Sequence, residues 1–70
     1  MIRKRSVLLK GHATSVSLEE EFWMELKRMA AAEAVPLSVF IGRIDEKRAG
    51  ANLSSALRLA VLADLRSKPR

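Results

Sequence analysis

Thr14, Val16 and Leu18 alternate with Ala13, Ser15 and Ser17, a period of two that marks a strand with one buried face. The preceding Ser6–Lys10 is also β-prone, and Gly11 fits either a bulge in one long strand or the turn of a hairpin. From Leu18 the period changes. Ser17-Leu18-Glu19-Glu20 has the spacing of a capping box, so a first helix is predicted from Leu18 or Glu19, with Glu19, Glu20 and Glu21 at the positive end of its dipole. Phe22, Leu26, Met29, Ala30 and Glu33 fall on one helical row that is apolar until the last turn, with Trp23 on its flank. Ala30, Ala31 and Ala32 favour helix, and Pro36 disfavours helical geometry at Val35, which ends the helix near Ala34.

A second helix is predicted from Pro36 or Leu37, with Val39, Phe40, Ile41 and Ile44 apolar and Arg43, Asp45, Glu46, Lys47 and Arg48 polar. Proline suits a first turn. Gly42 lies inside this helix at a cost of about 1 kcal/mol relative to alanine, so either a neighbour packs close there or the helix is weak. Gly50 is a natural stop. A third helix follows Asn52 or Ser54 as N-cap and is apolar on most of its circumference, leaving a narrow polar stripe around Ser54, Ser55 and Arg58. Such a helix is expected to be buried on more than one side, the second cover being another subunit.

Length sharpens that expectation. Seventy residues make one domain, here 1–70, and a chain this short buries only about 60% of the surface its unfolded form exposes. The usual staples are disulfides, a structural metal or oligomerisation. The chain has no cysteine, and its single histidine, His12, leaves no zinc-like ligand set. No cofactor or metal is therefore expected, and dimerisation is. Absent cysteines fit a reducing cytoplasm. The apolar run Val7-Leu8-Leu9 is too short for a signal-peptide core, and no stretch approaches the roughly 20 apolar residues of a membrane span.

The net charge of +5 is unevenly placed. Residues 1–18 hold Arg3, Lys4, Arg5 and Lys10 and no acid, residues 19–50 are net acidic, and residues 51–70 are basic again. A basic N-terminal arm over 1–9 suits a polyanionic partner such as a phosphate backbone; a solvated tail is the plain alternative. An enzyme is not expected: tyrosine and cysteine are absent, there is one histidine, and no glycine-rich phosphate loop occurs.

The order strand, helix, short turn, helix resembles the ribbon-helix-helix family of bacterial DNA-binding proteins. Thr14-Ser15-Val16-Ser17-Leu18-Glu19-Glu20-Glu21-Phe22 is similar to that family's strand-to-helix junction, and Leu37-Ser38-Val39-Phe40-Ile41 to the start of its second helix. The third helix, opening at Asn52-Leu53-Ser54-Ser55-Ala56-Leu57-Arg58, resembles a small proteobacterial branch with that addition. The resemblance implies a mainly α fold with one N-terminal strand, β-α-α plus a third helix over 51–70 that ends in a basic tail. It also implies an intertwined homodimer whose strands form an antiparallel two-stranded ribbon in the major groove of double-stranded DNA. In that arrangement Val16, Leu18, Phe22, Leu26, Met29 and Ile41 form the dimer core. Ala13, Ser15 and Ser17 face the bases, and Arg3, Lys4, Arg5, Lys10 and Ser38 meet phosphates.

The expected function is a weakly specific DNA-binding transcriptional regulator in the cytoplasm. Readers are usually long side chains, whereas Ala13, Ser15 and Ser17 are short, and Ser17 competes as helix cap. The alternative is an antitoxin-like protein-interaction dimer with a degenerate reading face, docking through the third helix or Trp23.

Overall fold

Lys10 and Gly11 both take positive φ, 51° and 82°, the pattern of a two-residue type I′ turn whose twist matches that of the strands it joins. The computed structural model describes residues 1–67; of the basic tail expected over 67–70, Ser67 ends the third helix and 68–70 lie outside the described residues. This turn joins strand β1, Ile2–Leu9, to strand β2, His12–Glu19. They pair antiparallel along their whole length, with Leu9 opposite His12 and Ile2 opposite Glu19. Helices α1 (Glu20–Ala32), α2 (Leu37–Lys47) and α3 (Leu53–Ser67) follow.

The hairpin corrects the expectation of one N-terminal strand with residues 1–9 as a free basic arm. The strand that pairs with β2 is β1 of the same chain, because a left-handed turn at Lys10-Gly11 returns one onto the other. Opposite residues of an antiparallel pair share a face. Arg3, Arg5 and Val7 therefore stand with Leu18, Val16 and Thr14 on the inner face, and Lys4, Ser6 and Leu8 with Ser17, Ser15 and Ala13 on the outer one.

The capping box also fails to form. Ser17 is still in β2, α1 starts at Glu20, and its N-cap Glu19 makes no side-chain cap hydrogen bond. At the other end the Val35 N–H reaches the Ala30 carbonyl at 3.1 Å while Ala34 takes φ 57°. This is a Schellman-type end with alanine in the position glycine usually fills. Helix α2 starts behind Pro36 as predicted, and the Asn52 side-chain oxygen caps α3 by accepting the Ser55 N–H at 3.2 Å.

Every element supplies the core. Leu9 of β1 and Val16 and Leu18 of β2 cluster with Leu26, Met29 and Ala30 of α1, Phe40 and Ile41 of α2, and Leu53, Leu57 and Val61 of α3. The last three follow the i, i+4, i+8 row that faces the ribbon's inner side. Burying such a side chain fully is worth about 1.5–3 kcal/mol, so α3 is structural. Of the residues expected in a dimer core, Val16, Leu18, Leu26, Met29 and Ile41 are buried within one chain, and Phe22 is half-buried against them. Beyond that row Leu59, Leu62 and Leu65 stay exposed, Leu59 at 63%.

Beyond its own turn of helix, no atom of the described residues lies within 4 Å of where a Gly42 Cβ would stand, so no packing neighbour among them requires glycine there. Gly42→Ala is expected to raise stability by about 1 kcal/mol, read as a shift of the urea midpoint at unchanged slope. A loss of stability would show that something packs against this face of α2.

Candidate nucleic-acid interface

The outer face of the hairpin is open to solvent along its length. Lys4, Ser6, Leu8, Ala13, Ser15 and Ser17 are all exposed. Their cross-strand pairs are Lys4 with Ser17, Ser6 with Ser15, and Leu8 with Ala13. The three residues expected to face bases from β2 are therefore brought together on one surface. Each gains a partner from β1 that the sequence pattern did not indicate.

The basic residues divide by face. The Arg5 guanidinium on the inner side contacts a Glu20 carboxylate oxygen at 2.5 Å and lies 4.7 Å above the Trp23 ring. Its Nε is buried without a hydrogen-bond partner among the described residues. Arg5 thus belongs to the packing between hairpin and α1, which corrects its place among the phosphate contacts. It also covers the Trp23 ring expected to anchor a partner. Arg3 is more exposed and stands 3.6 Å from the same carboxylate. Lys10 in the turn reaches Glu46 of α2 at 3.4 Å in an exposed pair, which is weak and readily exchanged. Lys4 is exposed and has no carboxylate partner among the described residues.

The free edge of β2 is held by α3. In a hairpin closed by a two-residue turn, the backbone groups of alternate residues point away from the partner strand. At Ser17 these groups meet side chains of α3: its N–H donates to Ser54 Oγ at 3.0 Å, and its carbonyl accepts from the Arg58 guanidinium at 3.2 Å. Arg58 also binds Glu19 at 3.0 Å. The stripe Ser54 and Arg58, which looks like a solvated face in sequence, caps a strand edge. An adjacent exposed edge is otherwise a template for further strands.

These contacts also neutralise most of the acidic start of α1. Glu19 is paired with Arg58 and Glu20 with Arg3 and Arg5, which leaves Glu21 as the exposed carboxylate of the three. The Glu19 carboxyl titrates below its usual range, held there first by its own backbone N–H and then by Arg58. Because the shift is downward, the bridge to Arg58 is present above the ordinary carboxylate range and is lost as pH falls through the lowered value.

Ser38 is exposed in the first turn of α2, whose N-cap, Pro36, offers no side-chain cap. His12 is exposed beside the turn. No helix among the described residues is long and apolar enough to cross a membrane.

The division between Arg5 and Lys4 has a measurable consequence. Arg5→Ala should lower stability by about 1–2 kcal/mol, through loss of the ion pair and the contact with Trp23. Lys4→Ala should stay within about 0.5 kcal/mol of the parent. Urea denaturation checks both, and equal effects would contradict the assignment of faces.

Comparison with known proteins agrees with this architecture. A family model described as a ribbon-helix-helix domain matches residues 2–65. No curated protein and no solved structure matches the chain.

Proposed function

The chain belongs to the ribbon-helix-helix family of DNA-binding regulators, and we propose that it is a transcriptional regulator that lays its hairpin in the major groove with low sequence selectivity. The observation that carries this reading is the hairpin's outer face, exposed throughout and free of carboxylates between Lys4 and Leu8 and between Ala13 and Ser17. The major groove is wide enough to admit a two-stranded ribbon. Serine and alanine discriminate poorly between base edges, so Ala13, Ser15 and Ser17 set the low selectivity.

Phosphates on either side are met by Arg3 at the open end of the hairpin and by Lys10 in its turn. The uncapped N-terminus of α2 at Ser38 supplies backbone N–H groups for a further phosphate. The role is one of binding, without catalysis, and places the protein with the DNA in a bacterial cytoplasm.

Dimerisation, usual in the family, takes a different surface in this reading. The ribbon is complete in one chain, so the apolar row left for a second copy is Leu59 and Leu62 on α3. That row also supports a second reading, a protein-interaction module whose hairpin has lost its DNA role, since large apolar side chains are exposed there.

A salt series of fluorescence anisotropy with a random duplex separates the two readings. The DNA reading predicts binding at low salt with a steep negative slope of log affinity against log salt. Arg3→Ala combined with Lys10→Ala should reduce that slope by about 2, whereas Arg5→Ala should leave it unchanged. Absence of binding at low salt would overturn the DNA reading and favour the protein-interaction module.

A further inference from the structure

Helices α2 and α3 leave a hollow of about 470 Å³ where they diverge, lined by Ile44 of α2, Ala51 of the connecting loop and Ala56, Leu59 and Ala60 of α3. Three of these side chains are single methyl groups, which leaves the space unfilled. Ala56 and Ala60 lie one turn apart, flanking the row Leu53, Leu57 and Val61 that enters the core. The hollow is open, because Ala51 and Leu59 are exposed. It therefore suits the surface of another molecule better than an enclosed small ligand.

The charge of the lining has one sign. Lys47 and Arg48 complete it, and no carboxylate does. Arg48 is neutralised by Asp45 at 2.6 Å. Lys47 is exposed and has no carboxylate partner among the described residues. Arg66, seven residues beyond Leu59 and so on the same side of α3, is exposed as well.

We propose that this hollow docks an acidic amphipathic helix of a partner protein, with leucine-like side chains in the space left by Ala51, Ala56 and Ala60 and carboxylates toward Lys47 and Arg66. The proposal rests on the reading of α3 as a protein-docking face and not on the hairpin's DNA role. Both walls are helices, whose backbone groups are used internally, so neither offers an edge to a partner strand. A docking helix satisfies its own backbone and presents an apolar row at i, i+3, i+4 and i+7. Charge selects its chemistry. A second copy carries the same net +5 and would bring another Lys47 to the hollow, whereas an acidic helix is drawn to it.

The test uses the full chain and three synthetic helical peptides of about 18 residues, long enough to hold a helix. They share one leucine row and carry Glu, Gln or Lys beside it. Fluorescence anisotropy should rank their affinities Glu, then Gln, then Lys, and amide shifts on adding the Glu peptide should centre on Ile44, Ala51, Ala56 and Ala60. Lys47→Glu should weaken the Glu peptide about fivefold and strengthen the Lys peptide. Ala60→Leu fills the hollow and should weaken all three about tenfold, with circular dichroism confirming the fold and sedimentation unchanged.

Equal binding of the Glu and Gln peptides would overturn the acidic partner while leaving α3 a protein-docking face. Shifts centred on the hairpin would overturn the proposed site, since that is simple attraction to the basic strands. If Ala60→Leu lowers the sedimenting mass, the hollow belongs to a second copy and the proposal is wrong. If no peptide binds, the docking reading of α3 falls and the proposal falls with it.

Discussion

The left-handed turn at Lys10-Gly11 is the constraint on which the rest of this structure depends. It sets which residues of β1 lie opposite which residues of β2, and a shift of one position would exchange the two faces. With the observed register Val7 joins Val16 and Leu18 over the helices, and Arg5 is carried to Glu20 and Trp23. The outer face then consists of whatever remains: one lysine, three serines, a leucine and an alanine, with Ile2 and Glu19 at the open end. The same turn that completes the inner sheet surface therefore decides the chemistry offered outside.

An isolated hairpin is marginal in water and needs a packed face. Here α1 and α2 supply part of that cover and α3 supplies the rest through Leu53, Leu57 and Val61. In a chain of this size, where a second subunit is the usual remedy, the third helix takes over part of that role. It does so twice, by filling the core and by satisfying the backbone of Ser17 with Ser54 and Arg58. Arg58 additionally ties the ribbon to the start of α1 through Glu19 and lies 5.9 Å over the Phe22 ring.

Much of this was legible in the sequence wherever the determining forces are local or periodic. The alternation from Ala13 to Leu18 identified both faces of β2, the row Leu26, Met29 and Ala30 identified the buried side of α1, and Pro36 and Asn52 marked helix starts. The first strand was not legible because its inner positions carry arginines. Arg3 and Arg5 break the apolar alternation, and what makes Arg5 acceptable there is Glu20 and Trp23, fifteen and eighteen residues away. Ser17 misled for the opposite reason: a complete local capping signal is outcompeted by a hydrogen bond to Ser54 that only the tertiary fold provides. Consequently the long side chain of the outer face, Lys4, is not evident until the hairpin sets it beside Ser17.

The central claim is that β1 and β2 pair with each other as one hairpin within the chain. Isotope-filtered nuclear Overhauser spectroscopy on an equal mixture of labelled and unlabelled protein measures this directly, free and with duplex DNA. The account predicts close Hα contacts of Lys4 with Ser17, Ser6 with Ser15 and Leu8 with Ala13 within labelled chains, and none between labelled and unlabelled ones. Contacts between chains at those positions, or between Ser15 of one chain and Ser15 of another, would contradict it.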